Sequence, residues 1–578
     1  MEKEGAQGAE RAAYFTLKTR SKKENVSREE LFQKWGQEAR EAGFDYRELL
    51  HQKEFEPGSG KKRLADAMPS VFAELTESKA YFNQFDFVRK VAEFAPLCDA
   101  NMKDVGEVAE RYLKREAIHL RTVDDKGIEK RIYTTKEIDA LEKRMLEQVR
   151  DANKRDFAPV NKDADYTISK TLSDEQRQAL YHVCESEGAL KVVSGMAGTG
   201  KTTLLSSAND VWKAKGFEVK GAALAAVAAK GLEEGAGIES RTVARLLLDI
   251  ERAEKNGEAM PINKRTVLVV DEAGMIGTRQ MARLLEVVER EKAKLVLTGD
   301  EKQLQPIEHG APFKAIGEIA GKQELKEIKR QREEWARDAV HSVASGESEK
   351  ALSAFAQKGM LRIEQTREDA IKGLINLWRE DAGDIKEKLI LSTTRYGAKA
   401  LNELAQEQRR EAGELRGEAL PVNGYSLYAG DRVLFTKNNK ALGVMNGQAA
   451  TVLTINPSAK TVGVLTDSGE RKIISTSIYE NLELGYATTT HKAQGKTVDK
   501  AYVLAGGVMQ DKELSYVQVS RAREATRIFT SVEEGGRSVQ ELAAKMNQSR
   551  QKALAQEMRQ EYRQELQQEK ERGLSLSR

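Results

Sequence analysis

The segment Gly195-Met196-Ala197-Gly198-Thr199-Gly200-Lys201-Thr202 places glycines, a lysine and a hydroxyl residue at the spacing GxxxxGK[ST]. Residues of these types hold phosphate: glycines let several backbone N–H groups approach one point, the lysine reaches the β- and γ-phosphates, and the hydroxyl sits on Mg2+. The candidate phosphate contacts are Gly195, Gly198, Thr199, Gly200, Lys201, Thr202 and Thr203, with Thr202 also a metal ligand. Two carboxylates, Asp271-Glu272, supply what phosphoryl transfer further needs: Asp271 to hold Mg2+ and Glu272 to polarise an attacking water. Gln303 offers an amide to sense the γ-phosphate, and Gln176 one to read adenine by paired donor and acceptor. ATP and Mg2+ are the implied cofactors.

These residues need elements to carry them. The run Leu190-Lys191-Val192-Val193-Ser194 predicts a strand that ends in the glycine-rich loop and opens a helix, so the phosphates meet the positive end of a helix dipole. Strand Val267-Leu268-Val269-Val270 delivers Asp271 and Glu272, and strand Lys294-Leu295-Val296-Leu297 delivers Thr298-Gly299-Asp300 and then Gln303. From Tyr166 short apolar strands alternate with helices, the mark of an α/β parallel sheet with its site beyond the carboxyl ends of the strands.

The chain has 578 residues, too many for one core. Lys+Arg 94 against Asp+Glu 91 leaves a net charge of +3, so any track for nucleic acid must come from local clustering. The two cysteines, Cys98 and Cys184, match no metal spacing and rule out a disulfide framework, and the six histidines are scattered. No signal-peptide core and no long apolar run occur, so a cytoplasmic protein without membrane insertion is expected.

The order of these blocks resembles the first motor domain of superfamily-one DNA helicases of the RecD-like, 5′→3′ branch. Leu325-Lys326-Glu327-Ile328-Lys329-Arg330-Gln331 looks like motif IV, Gly485 to Gly495 like motif V, and Tyr516-Val517-Gln518-Val519-Ser520-Arg521-Ala522-Arg523 like motif VI. The resemblance implies that Arg330 and Arg521 reach the γ-phosphate across a cleft, where two guanidiniums would stabilise transition-state charge. Gly221 to Leu247 resembles the DNA-contacting motif Ia region, although Leu224-Ala225-Ala226-Val227 departs from the family's usual Pro and hydroxyl residue. Thr242, Thr490 and His491 are the expected strand contacts, because hydroxyl and imidazole groups hold phosphates without reading bases.

Leu17-Lys18-Thr19-Arg20-Ser21-Lys22-Lys23 with Leu31, Trp35 and Gly43, then Leu75-Thr76-Glu77 and Tyr133-Thr134-Thr135 with Glu142, is similar to the stretch joining relaxase to helicase in conjugative relaxases of the TraI/TrwC kind. Nicking in that family needs a histidine cluster and amino-terminal tyrosines; Tyr14 has no His-x-His partner, so no strand cleavage is expected. The resemblance implies a fragment, or a separately expressed helicase portion, of a larger conjugation protein.

The expected architecture is α/β: two RecA-like parallel-sheet motor domains, a small β-barrel (SH3-like) insertion and a mostly helical N-terminal domain. The boundaries are 1–165 for the N-terminal domain and linker, 166–328 for motor domain 1, 329–415 and 479–540 for motor domain 2, 416–478 for the insertion, and 541–578 for a charged helical or disordered tail. Within 1–165 we expect a helix from Ser27, a hairpin around Asp125-Lys126-Gly127 and a helix after Thr135. Expected partners are single-stranded DNA and ss/dsDNA junctions, with relaxosome proteins and a type IV secretion coupling protein. A RecD-like repair helicase and a non-catalytic docking module are the alternatives.

Overall fold

The computed structural model describes residues 35–38, 59–125, 128–155, 157, 172–306 and 308–576. The chain forms two compact units. One takes in 1–67 and 92–108, the other 68–91 and 109–578. Of the helix expected from Ser27 only 35–38 are described, and these are helical; the rest, like the pattern at 17–23, lies outside the described residues.

In the first unit the helix Ser59–Asp66 lies close against the turn at Asp99: a Cβ on Gly60 would fall 2.2 Å from the Asp99 carbonyl oxygen, and Arg63 Nη2 pairs with Asp99 Oδ2 at 2.9 Å. In the second unit the expected hairpin forms from strands Ala117–Asp125 and Ile128–Thr135, its Lys126-Gly127 turn lying outside the described residues. Thr135 then caps the helix Lys136–Lys154 by accepting from Ile138 N. Met145, Leu146 and Val149 of that helix share one core with Leu190, Val192, Leu268 and Leu295, so the helix belongs to the packing of the first sheet although it precedes residue 165.

That sheet has six parallel strands in the order Glu239–Thr242, Glu218–Ala223, Thr266–Asp271, Lys294–Gly299, Leu190–Gly195, Lys322–Leu325. Alternate strand residues face opposite sides. Leu190 and Val192 enter one core, and Val193, with Val267, Val269 and Val296, enters the other. We call this the first lobe.

The second lobe is a parallel sheet ordered Leu361–Glu364, Ala522–Ser531, Val498–Leu504, Lys388–Ser392, Ala487–Thr489. The α/β architecture of two RecA-like sheets is thus observed. Between its strands lies an insertion: a hairpin, Arg416–Val422 with Tyr425–Ala429, and a five-stranded antiparallel sheet of Arg432–Phe435, Ala449–Asn456, Thr461–Thr466, Arg471–Ser475 and Leu482–Leu484. Asn423 and Gly424, both at positive φ, make the tight hairpin turn. The last of the five strands falls beyond 478 because it pairs with Arg432–Phe435.

The tail expected from 541 is helical over Ala555–Leu576, and the segment leading to it is packed on both lobes. Leu542, Ala543 and Met546 enter the second lobe's core, and Leu554 enters the first lobe's. Ser549 Oγ donates to Glu513 Oε1 at 2.6 Å on the second lobe, while Lys552 Nζ donates to the Pro306 and Glu308 carbonyls at 2.6 and 2.8 Å on the first. The helix Ala555–Leu576 starts on the first lobe, where Glu142 accepts from Ala555 N and Gln556 N at 3.2 and 3.0 Å. A few well-spaced apolar residues inside a charged run decide the placement. Among the described residues no helix is long and apolar enough to cross a membrane.

Candidate functional site

At the end of the strand Leu190–Gly195 the backbone passes through Gly198 (φ 83°) and Gly200 (φ 80°) into the helix Lys201–Ala214. Both positions require glycine. A Cβ at Gly198 would lie 2.5 Å from Arg330 Cβ, and one at Gly200 would lie 2.4 Å from Gln176 Nε2. Lys201 Nζ donates to the Gly195 and Met196 carbonyls at 2.6 and 3.2 Å, which holds the ammonium over the loop. Gln176 is buried, donates to Thr199 O at 3.0 Å and accepts from Lys329 Nζ at 3.3 Å, so its amide braces the loop.

Asp271 ends its strand beside the loop, and its Oδ1 accepts from Thr298 Oγ1 at 2.6 Å and from Glu272 N at 2.9 Å. Glu272 takes φ 52°, a left-handed conformation that costs a residue with a Cβ on the order of 1 kcal/mol. Burial first, then the neighbouring Asp271 carboxylate, push the Glu272 carboxyl up; Lys201 and Arg521 oppose that. A carboxylate raised in this way is suited to accept a proton from water.

The two lobes enclose a cavity of about 760 Å3. Lys201, Thr202, Asp271, Glu272 and Gln303 line it from the first lobe, Arg330 from the connection between lobes, and His491, Gln494, Lys496, Arg521 and Arg523 from the second. Asn446 and Gly447 of the insertion reach its rim. Arg330 Nη1 donates to Ser520 O at 2.7 Å, and buried Arg521 donates from Nε to Val517 O at 3.0 Å and from Nη2 to Ser520 Oγ at 2.8 Å. Burial, and then the charge of Arg521, hold Arg330 down at about 9. Two like charges brought together out of water are complementary to a polyanion. The glycine cradle and this charge set fit a nucleoside triphosphate. Thr202 and Asp271 would hold Mg2+ together with phosphate oxygens, and no group of three or more protein ligands able to bind a metal alone occurs among the described residues.

The family model of the AAA domain matches residues 171–366. Conjugal transfer protein TraA of Rhizobium radiobacter is 37% identical over 454 residues, covering 74% of this chain and 40% of that protein. The ATP-dependent RecD2 DNA helicase of Deinococcus radiodurans is 29% identical over 401 residues, covering 68% of this chain and 53% of that protein. The chain is thus similar to TraA conjugal transfer proteins and, at lower identity, to RecD helicases. It spans about two fifths of the length of that TraA protein. Among solved structures, the Pif1 helicase from Bacteroides in complex with ADP-AlF3 and ssDNA aligns with a TM-score of 0.40 at 17% identity, over 63% of this chain and 92% of that one.

Lys201, Thr202, Asp271, Glu272, Gln303, Arg330 and Arg521, expected from the motifs, thus share one cavity, as does His491. The other two expected strand contacts do not line it. Thr242 caps the helix Val243–Asn256 by accepting from Arg245 N. Thr490 is fully buried, donates to Ser392 O at 3.3 Å and accepts from Gln518 Nε2 at 3.1 Å; its hydroxyl closes the sheet end and presents nothing to a strand. Three participants carry no assignment from sequence: Thr298, which anchors Asp271; Gln494, which donates to Gln303; and Tyr516. Each sits inside a quoted motif, but only the contacts across lobes or strands give it a role.

Proposed function

We propose that the chain is an ATP- and Mg2+-dependent translocase on single-stranded DNA that unwinds plasmid DNA 5′→3′ from ss/dsDNA junctions during conjugative transfer. The observation that carries this reading is the convergence of Lys201, Asp271 and Glu272 from one lobe with Arg330 and Arg521 on a single cavity. When bound, Mg-ATP supplies the phosphoryl bond whose hydrolysis drives the cycle. The loop amides and Lys201 bind the phosphates, and Thr202 and Asp271 would hold the metal. Glu272 orients water and takes its proton, while Arg330 and Arg521 stabilise charge that grows only in the transition state. Because those arginines are carried by the second lobe and its connection, their engagement couples hydrolysis to closure of the cleft. Alternating grip by two lobes then moves a strand. Separation must overcome roughly 1.4 kcal/mol of stacking per base-pair step. The polarity is carried over from the motif resemblance to RecD-like helicases, the conjugative setting is supported by the similarity to TraA proteins, and relaxosome proteins with a type IV coupling protein are the partners to test.

The test is ATP-dependent strand displacement on matched duplexes with a 5′ or a 3′ overhang. Displacement from the 5′ overhang alone is expected. Displacement only from the 3′ overhang overturns the polarity, and vigorous unwinding of blunt ends favours a RecD-like repair enzyme.

A further inference from the structure

Tyr516 is fully buried, yet its hydroxyl spans the two lobes. The Ala197 N–H of the phosphate loop donates to this oxygen at 2.8 Å, and Asp300 Oδ2 lies 2.7 Å from it. An amide N–H can only donate, so the phenol proton points to the carboxylate. Burial and the Asp300 charge hold the phenol well above its ordinary range, which keeps that proton in place. Asp300 Oδ2 also accepts from Gln303 Nε2 at 3.0 Å, so the bridge ends on the residue that positions Gln303.

Tyr516 lies on the helix Lys512–Val519, whose carboxyl end, capped by Ser520, leads into Arg521 and holds Arg330. Arg521 follows directly and bonds back to Val517 O, while Arg330 is held through Ser520 O. Leu514 and Val517 of the same helix pack on Leu304 of the first lobe, which shields the bridge from water. We propose that Tyr516 is the positioning residue that sets Arg330 and Arg521 against the phosphate loop, its hydroxyl bridging the Ala197 amide and the Asp300 carboxylate. This rests on the ATP-hydrolysis reading above. Tyr516 acts through the arginines, whose interaction is made in the transition state, so its loss is read in turnover and not in nucleotide affinity.

The experiment compares Tyr516→Phe and Asp300→Asn with the unmodified chain, by steady-state ATP hydrolysis on single-stranded DNA and by the Kd of a fluorescent ATP analogue. Tyr516→Phe keeps the buried ring and removes both the charge-assisted hydrogen bond to Asp300 and the bond accepted from the Ala197 amide, so kcat is expected to fall about tenfold or more with KM and Kd within about twofold. Asp300→Asn retains an acceptor oxygen and is expected to keep more activity than Tyr516→Phe. Unchanged kcat in Tyr516→Phe overturns the proposal, and a parallel loss of analogue affinity does so too, by assigning Tyr516 to the folding of the loop. If the unmodified chain does not hydrolyse ATP, the function proposed above falls and this inference with it; an active chain with an unaffected Tyr516→Phe variant sinks the inference alone.

Discussion

Gln494 Nε2 donates to Gln303 Oε1 at 3.1 Å, joining the second lobe to the first inside the cavity. Gln303 meanwhile donates to Asp300 Oδ2. The Gln303 amide is thus fixed from both lobes at once. Gln494→Ala removes one neutral hydrogen bond, and a fall of about threefold to tenfold in DNA-stimulated kcat is expected, with little change in KM, by steady-state ATPase assay.

Lys201→Ala removes the ammonium that lies over the loop. ATP turnover is expected to fall at least about a hundredfold while single-strand binding, followed by fluorescence anisotropy, persists. Near-normal hydrolysis in this variant would contradict the assignment of the site.

Gly198→Ala tests the close approach of the loop to Arg330. The φ of 83° and a Cβ 2.5 Å from Arg330 Cβ leave no room for a methyl group without backbone movement. A loss of about 1–3 kcal/mol in unfolding free energy and a large drop in turnover are expected, by denaturant titration and ATPase assay.

Glu142 gives a pH test of the C-terminal docking. Burial raises its carboxyl from 4.5 to about 7 against the pull of the Gln556 and Ala555 amides. The native state therefore binds this proton more tightly than the unfolded chain. The resulting stability is fully present below pH 4.5 and is lost as pH rises through about 7. It amounts to at most about 3 kcal/mol. Chemical unfolding of Glu142→Gln across the same window is expected to show a flatter pH dependence than the unmodified chain.

The first-lobe wall of the cavity was legible because its motifs are local. Phosphate binding dictates the glycine and lysine spacing within eight residues, Gly195 to Thr202, and the buried strand before Asp271 marks itself by four consecutive apolar residues, Val267 to Val270. The arginines were legible only through resemblance, since nothing near Arg521 in sequence distinguishes it from a surface cation. Tyr516 and Asp300 are 216 positions apart, and no local period reports a contact at that range. Thr490 shows the converse failure: a hydroxyl beside glycine and histidine looks like a phosphate contact, but the sheet end consumes it. The burial of Leu554 was hidden by charged and polar neighbours on both sides.

The peptide passes from the first lobe to the second near Arg330 and comes back at Gln548 to Ala555. The two halves are therefore sewn together twice. A single proteolytic cut in either stitch leaves the other to hold the halves at an effective concentration in the millimolar range, so a nicked molecule would stay assembled and separate only under denaturing conditions.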